Sequence, residues 1–311
     1  MSRLGIDIGG TKIAAGVVDT DGCIVGRFRR ATPRTGSGAD VMAEIVDLIA
    51  EIRRSHRIDA IGLGAKGVID SRSGMVLQDG DTLPGWGGTD VAGPVRAATG
   101  LPVAVDNDVR VTALGEARRG AGADLDRLLV ASLGTGVGGG LVFGGHIVHG
   151  GHGTTGEIAH LLVPGRGALP CGCGRFDHLE AVVAGPAIAA EYSIRTGSPE
   201  LQLQQVAERM RAGDVVATAT IIDAAGVLGR ALAGLATAVD VDGVVIGGGV
   251  AQIGPAFLEA ARAEFAAAVL EPLRNIPFRP AALGTDAPLV GAAELAALAL
   301  ATGGEHLPTG R

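Results

Sequence analysis

A strand that turns on glycines and runs back is written twice in this chain, and no other feature constrains the fold as much. Leu4 to Ile8 is an apolar run, Gly9-Gly10-Thr11 turns it, and Ile13 to Val18 continues as a second strand. Asp21-Gly22 then marks a hairpin, with Ile24 to Phe28 as a third strand. The pattern returns at Leu128 to Leu133, turns through Gly134-Thr135-Gly136 and Gly138-Gly139-Gly140, and runs back over Leu141 to Phe143. Gly144-Gly145 and Ile147-Val148 follow. One such hairpin in each half predicts two domains facing one ligand. A length of 311 residues agrees with two domains of ordinary size. Glycine makes up 52 of the 311 residues without a G-X-Y period. Collagen is therefore excluded, and the excess is read as tight turns where backbone approaches something closely.

Between the hairpins the period changes. Val41, Ile45, Leu48, Ile49 and Ile52 fall at helical spacing, which predicts a helix over 40–54 with Asp40 as its N-cap. Ile58 to Leu63 and Leu101 to Val105 are short apolar strands, and a helix runs from Val109 to about Arg119. In the second half Val244-Val245-Ile246 leads into Gly247-Gly248-Gly249, and Ala-rich helices are expected over 256–270 and 292–301, with a frayed end from Gly303. The 47% hydrophobic content supplies large cores and rules out a mostly disordered chain. A net charge of −7 argues against nucleic acid or an anionic membrane as partner. No uninterrupted apolar run reaches the roughly 18 residues of a membrane span. The start, MSRLGIDIGG, lacks the apolar core of an export signal. Cys23, Cys171 and Cys173 make no disulfide framework. The expectation is a soluble, cytoplasmic protein.

Four motifs carry chemistry. In DIGGTK, the glycines Gly9 and Gly10 open the backbone N–H groups to phosphate oxygens, Thr11 offers a hydroxyl and Lys12 a compact positive charge. Asp7, at the strand's end, suits hydrated Mg²⁺. The spacing is not that of a Walker loop, and alone it also fits an ordinary hairpin. LGTGVGGG, over 133–140, is the second such loop. Asn107-Asp108 follows an apolar strand, where carboxylates face crevices in α/β sheets. Asp108 is then a candidate general base, while either residue also suits a helix cap. The fourth motif is the most specific. Five of the seven histidines lie between His146 and His178, as do two of the three cysteines. His160, ten residues, Cys171, one residue, Cys173, four residues, His178 is a set of four N/S donors suited to tetrahedral Zn²⁺, clipping a loop. His146, His149 and His152 sit in a Gly-rich loop and are read as solvated. Glu157 and Glu180 bracket the set and suit sugar hydroxyls, with Glu180 equally suited to a helix N-terminus. Lys66 and Trp86 are read as a turn lysine and a packed loop aromatic.

Taken in order, DIGGTK, LPGW at Leu83, NDVR at Asn107, LGTGVGGG, GEIAH at Gly156, CGCGRFDHLE at Cys171, GGGV at Gly247 and APLVGAA at Ala287 resemble the ROK family (repressors, open reading frames and kinases) over nearly the whole chain. The nearest likeness is to its glucokinase-like and N-acetylhexosamine-kinase-like members. The resemblance implies an α/β fold of two actin-like (ribonuclease H-like) domains with an inter-domain cleft. The smaller domain would be 1–119 plus 291–311, and the larger, zinc-bearing one 120–290. It also implies an ATP-dependent sugar kinase acting on the 6-hydroxyl of a hexose. Glucose is the first choice, and N-acetylmannosamine or N-acetylglucosamine the alternative. Polyphosphate in place of ATP is left open. Asp108 matches the family's base. Asn107, Asp108, Glu157, His160 and Glu180 match sugar ligands. Gly9, Gly10, Thr11, Lys12, Gly134, Thr135 and Gly136 match phosphate contacts, Gly248 and Gly249 lie by the adenosine, and Mg²⁺ and a structural Zn²⁺ on His160, Cys171, Cys173 and His178 complete the set. A homodimer is the family expectation. A sugar-responsive regulator of the same family is disfavoured, because the first hairpin starts by residue 4 and leaves no room for a DNA-binding domain. A non-catalytic sugar binder is disfavoured by the presence of Asp108 and both loops. The chain departs from the family pattern at His178 (usually Cys), Ala159 (Gly), Arg110 (Asn) and Lys66 (Pro).

Overall fold

The computed structural model describes residues 1–34, 36–79, 85–165 and 167–302. Leu83 and Pro84 of LPGW and the end from Gly303 lie outside them. The chain forms two compact units, Met1–Asp124 with Gly140–Thr155 and Thr285–Arg311, and Leu125–Gly139 with Gly156–Gly284.

The chain begins with β1 (Arg3–Ile8), β2 (Lys12–Val18), β3 (Ile24–Ala31), α1 (Gly38–Arg53), β4 (Ala60–Ala65), β5 (Val68–Asp70) and β6 (Met75–Gln78). Next come α2 (Ala92–Thr99), β7 (Val103–Asn107), α3 (Asp108–Arg119), β8 (Arg127–Leu133), β9 (Val137–Phe143) and β10 (His146–Ile147). The remainder is α4 (Glu180–Val183), α5 (Gly185–Thr196), α6 (Leu203–Arg211), α7 (Val215–Val239), β11 (Gly243–Gly247), α8 (Pro255–Ala268), β12 (Phe278–Pro280) and α9 (Ala287–Ala301). One five-stranded sheet has the order β3-β2-β1-β4-β7, the other β10-β9-β8-β11-β12. Numbered within its own sheet, each reads 3-2-1-4-5. The hairpin repeat in the sequence is thus a repeat of a whole sheet topology. In the first sheet β1 pairs antiparallel with β2 and parallel with β4, and β4 runs parallel with β7. In the second, β8, β11 and β12 are parallel neighbours.

The pleat decides what each face of the first sheet does. Leu4, Ile6 and Ile8 alternate toward a core that also takes Ile13, Val17, Ile61 and Leu63, and α1 closes it with Val41, Ile45, Leu48, Ile49 and Ile52. The intervening positions face α9. There a Cβ on Gly5 would stand 2.0 Å from the Leu289 carbonyl oxygen, and one on Gly62 only 1.8 Å from that of Ala292. Helix backbone therefore lies directly on sheet backbone. The turn reading of the glycines is incomplete for this reason, since glycines inside strands serve close packing as well. Glu294 of α9 is buried in the same unit and receives Arg118 Nε at 2.7 Å, Arg119 Nε at 2.8 Å and Arg3 Nη1 at 3.3 Å. Burial works to raise its carboxyl, but the Arg118 and Arg119 hydrogen bonds and the charge of Arg3 outweigh that and hold it below the usual range.

Two expectations are corrected. The N-cap of α1 is Ser37, and Asp40 is the third helical residue, its carboxylate accepting from the Ser37 backbone N–H at 2.6 Å. Apolar spacing starts at Val41, so it does not register the first turn. Two helical stretches, Val215–Val239 and Gly284–Ala301, are long and apolar enough to cross a membrane by length and composition. Asp223, Arg230 and Glu294 interrupt the apolar runs, which is why counting unbroken runs missed them. In each, 56% of the apolar window is buried inside the protein, as for core helices.

Candidate functional site

In the first unit the parallel strands end in register. Asp7 pairs with Gly64 and Gly64 with Asp106, and one step on Ile8, Ala65 and Asn107 align. Asp7, Lys66-Gly67 and Asn107-Asp108 therefore leave one sheet edge, the carboxyl edge at which α/β sheets bind ligands. The sequence left open which of Asn107 and Asp108 caps α3, and the structure gives the cap to Asn107, with the Val109 N–H also reaching Asp108 Oδ1 at 2.9 Å. Asn107 Oδ1 accepts from the backbone N–H groups of Val109 at 2.9 Å and Arg110 at 3.2 Å. Its Nδ2 donates to the Gly67 carbonyl at 3.1 Å. Asp108, half-buried, begins the first turn. Burial pushes the Asp7 carboxyl up to about 6; the charge of Asp108 adds to this and Lys12 opposes it. Two carboxylates close enough to oppose each other's ionisation are hard oxygen donors of the kind that suits Mg²⁺.

The DIGGTK turn is held from below. Gly9 N–H donates to Lys12 O at 3.0 Å, Thr32 Oγ1 donates to Gly9 O at 2.6 Å, and Thr32 N–H to Thr11 O at 3.2 Å. Its outer side is open: a Cβ on Gly10 would meet nothing within 4 Å, and Thr11 and Lys12 are exposed. Backbone is thus available to an anion.

In the second unit β8 and β11 also end together, with Ser132 opposite Gly247. The loops that follow touch. Gly248 has φ +85°, and a Cβ there would lie 2.2 Å from Leu133 O. Val250 N–H donates to the same oxygen at 3.0 Å. Gly134 and Gly136 close a turn through a 2.8 Å backbone bond, and Thr135 lies at its tip. A Cβ on Gly249 would meet nothing within 4 Å. Glu180 is the first residue of α4, and its Oε2 accepts from Val137 N–H at 2.8 Å, so it ties the glycine loop to α4. Glu157 precedes a single 3₁₀ turn, Ile158–His160, and its carbonyl accepts from His160 N–H at 3.2 Å.

The four donors of His160, Cys171, Cys173 and His178 lie within 4.8 Å of one another. His160 Nδ1 is 3.2 Å and Cys173 Sγ 3.3 Å from His178 Nδ1. A tetrahedron with bonds of about 2.0 to 2.3 Å has donor separations of about 3.3 to 3.8 Å, so the set fits Zn²⁺. Burial pushes the Cys171 thiol up; the Cys173 backbone N–H opposes this, and the Cys173 thiol and the Glu180 charge add to the rise. A cation among these donors reverses that preference.

Sequence reasoning missed one cluster. His149 is buried, unlike exposed His152, and its Nε2 lies 2.5 Å from Asp106 Oδ2. Arg110, also buried, donates from Nε to Thr155 O at 3.2 Å and from Nη2 to Gly153 O. A loop histidine in a glycine-rich stretch gives no burial signal in sequence. The departure at Arg110 is the one cue that was available. Trp86 is fully buried as expected, and its Nε1 donates to Lys66 O at 2.9 Å.

The ROK family model matches residues 3–299. A glucokinase of Halalkalibacterium halodurans is 35% identical over 308 residues, covering 93% of this chain and 92% of its own. An N-acetylmannosamine kinase of Yersinia pseudotuberculosis is 33% identical over 290 residues, covering 93% and 96%. A crystal structure of a ROK family glucokinase from Streptomyces griseus, in complex with glucose and AMPPNP, superposes with a TM-score of 0.79 at 33% identity, covering 96% of this chain and 99% of that one.

Proposed function

Because the chain belongs to the ROK family, we propose that it is an ATP-dependent sugar kinase that phosphorylates a hexose, glucose first, at the 6-hydroxyl. The observation that carries this reading is the position of Asp108 at the end of β7. Asn107 caps α3, and Asp108, whose Oδ1 accepts from the Val109 N–H at 2.9 Å, opens that helix at a sheet edge shared with Asp7. The support from relatives is that proteins similar over more than nine-tenths of this chain are named glucokinase and N-acetylmannosamine kinase, and one is solved with glucose and AMPPNP.

Asp108 accepts the proton of the 6-hydroxyl as that oxygen attacks the γ-phosphorus of ATP in line. Asn107 donates from Nδ2 to a sugar hydroxyl, Glu157 accepts from one, and Glu180 accepts through the oxygen not engaged with Val137. His160 turns Nδ1 to the Cys/His cluster, so Nε2 faces a hydroxyl. Gly9, Gly10, Thr11, Lys12, Gly134, Thr135 and Gly136 hold phosphates through backbone N–H groups, the Thr hydroxyls and the Lys12 charge, with Gly248 and Gly249 beside the adenosine. Mg²⁺, held by Asp7, would offset charge on the phosphates, and Zn²⁺ on His160, Cys171, Cys173 and His178 would fix the loop that carries the sugar ligands. The reading includes a cytoplasmic homodimer.

The test is ADP release over a panel of hexoses with ATP and Mg²⁺, compared by kcat/KM. Asp108→Ala abolishes phosphorylation while hexose binding partly survives; full turnover by that variant sinks the base assignment. N-acetylmannosamine is the second reading, favoured by the similarity to a kinase named for it. A higher kcat/KM for it than for glucose would decide in its favour.

A further inference from the structure

Directly behind the Asn107-Asp108 pair lies a polar cluster that the chemistry above does not use. Asp106 is 0% exposed and Arg110 1%, with His149 at 8%. Asp106 Oδ1 accepts from the backbone N–H of Asn107 at 2.7 Å and faces Arg110 Nη1 at 3.6 Å. The other oxygen, Oδ2, meets His149 Nε2. Arg110 spreads its fork over the carbonyls of Gly153 and Thr155. One buried carboxylate therefore holds the Asp106-Asn107 peptide, one residue ahead of Asp108, and a histidine and an arginine hold that carboxylate and the loop 149–155 against it.

This arrangement is costly as packing alone. Buried charges are destabilising unless geometry is good, and apolar residues of similar size do as well or better in their place. His149 Nδ1 is buried with no hydrogen-bond partner among the described residues, a further cost. Polar groups of this kind held beside a reacting centre place it, since misplacement by about 1 Å costs about a hundredfold in rate.

We propose that Asp106, Arg110 and His149 are positioning residues for the transfer reaction: they fix the Asp106-Asn107 peptide and with it the start of α3, which carries the carboxylate that takes the hydroxyl proton. The inference rests on Asp108 being the base. It gives the Arg at position 110 a purpose. The side chain turns into the protein and clamps the 153–155 loop, so it is not a direct contact with sugar.

The experiment compares Arg110→Ala, Arg110→Lys, His149→Ala and His149→Gln with Asp108→Asn, all in the full chain. Trp86, the only tryptophan, is an internal probe, since it bonds to Lys66 next to the Gly67 carbonyl that Asn107 holds. Its fluorescence reads hexose binding without turnover. Arg110→Ala and His149→Ala are expected to lower kcat by about ten- to a hundredfold, with KM for ATP within about twofold and glucose still binding. His149→Gln, which restores a donor near the Nε2 position, recovers most of the loss. Arg110→Lys keeps the charge but lacks the planar fork, and stays at least about fivefold down. Wild-type kcat in folded Arg110→Lys and His149→Ala overturns the proposal, as does a loss in His149→Gln equal to that in His149→Ala. Should Arg110→Ala fail to fold, Arg110→Lys and the His149 pair carry the same test. Full turnover by Asp108→Asn removes the base reading separately, whatever the other variants do.

Discussion

The Asp7 carboxyl titrates near 6 because burial and the neighbouring Asp108 both oppose its ionisation, with Lys12 only partly compensating. An acid raised on folding gives stability that is complete below its ordinary value near 3.8 and is lost as pH rises through about 6. Metal-free Asp7→Asn should therefore melt above the native protein at pH 8, with the gap closing below about pH 4 and narrowing when Mg²⁺ is added. An equal gap at both pH values in a thermal melt would refute this. Glu294 has the opposite sign: its contribution is present above the ordinary 4.5 and is lost as pH falls through a lower folded value. Glu294→Gln leaves three arginines around a neutral amide and should cost about 3 kcal/mol in denaturant unfolding. At this scale the sequence was informative where a residue type has few alternatives. The Asn107-Asp108 pair and the Cys/His donors were found in it. His149 and Asp106 were not, because burial is a property of the surrounding elements and leaves no trace in one residue's letter.

Elements turn these residues into sites. The 160–178 loop is the clearest case, since its short backbone pairings, Leu162 with His178 and Pro170 with Phe176, bring four donors together without any long strand or helix. Metal analysis of the native protein should return one zinc per chain. Cys171→Ser or strong chelation should raise KM for hexose more than it changes KM for ATP; native protein free of zinc ends this assignment. Strand ends were legible from apolar runs to within a few residues, and the glycine loops from their letters. The helices α2, α5, α6 and α7 were not read from the sequence, and α7, 25 residues long, is buried on much of its surface. A helix covered on several sides loses the one-faced period that sequence reading relies on.

Over the whole molecule, the repeat of one strand order in two sheets was legible as a repeat of hairpins, because turn chemistry is local. Which units the segments join was not, since 140–155 and 285–302 pack by tertiary contact far from their neighbours in sequence. The first sheet lies in one unit and β8, β11 and β12 in the other, so unfolding is expected to depart from two-state behaviour. Calorimetry should show two transitions. Chelation should lower the one belonging to the second unit, and Asp7→Asn should move only the other. A single transition shifted by both changes would contradict this.

The seating of α9 on the first sheet has a consequence for biogenesis. Gly5 and Gly62 leave no gap beneath it, and Gly291 brings it equally close to α3, where a Cβ would stand 1.8 Å from Val111 O. While the ribosome is still reading codons before residue 287, β1, β2 and β4 have one face covered by α1 and the other bare to solvent. The N-terminal segment must wait, unfinished, through translation of the entire second unit. Chaperone capture of stalled nascent chains should therefore track the bare face and cease once the 287–301 stretch clears the exit tunnel.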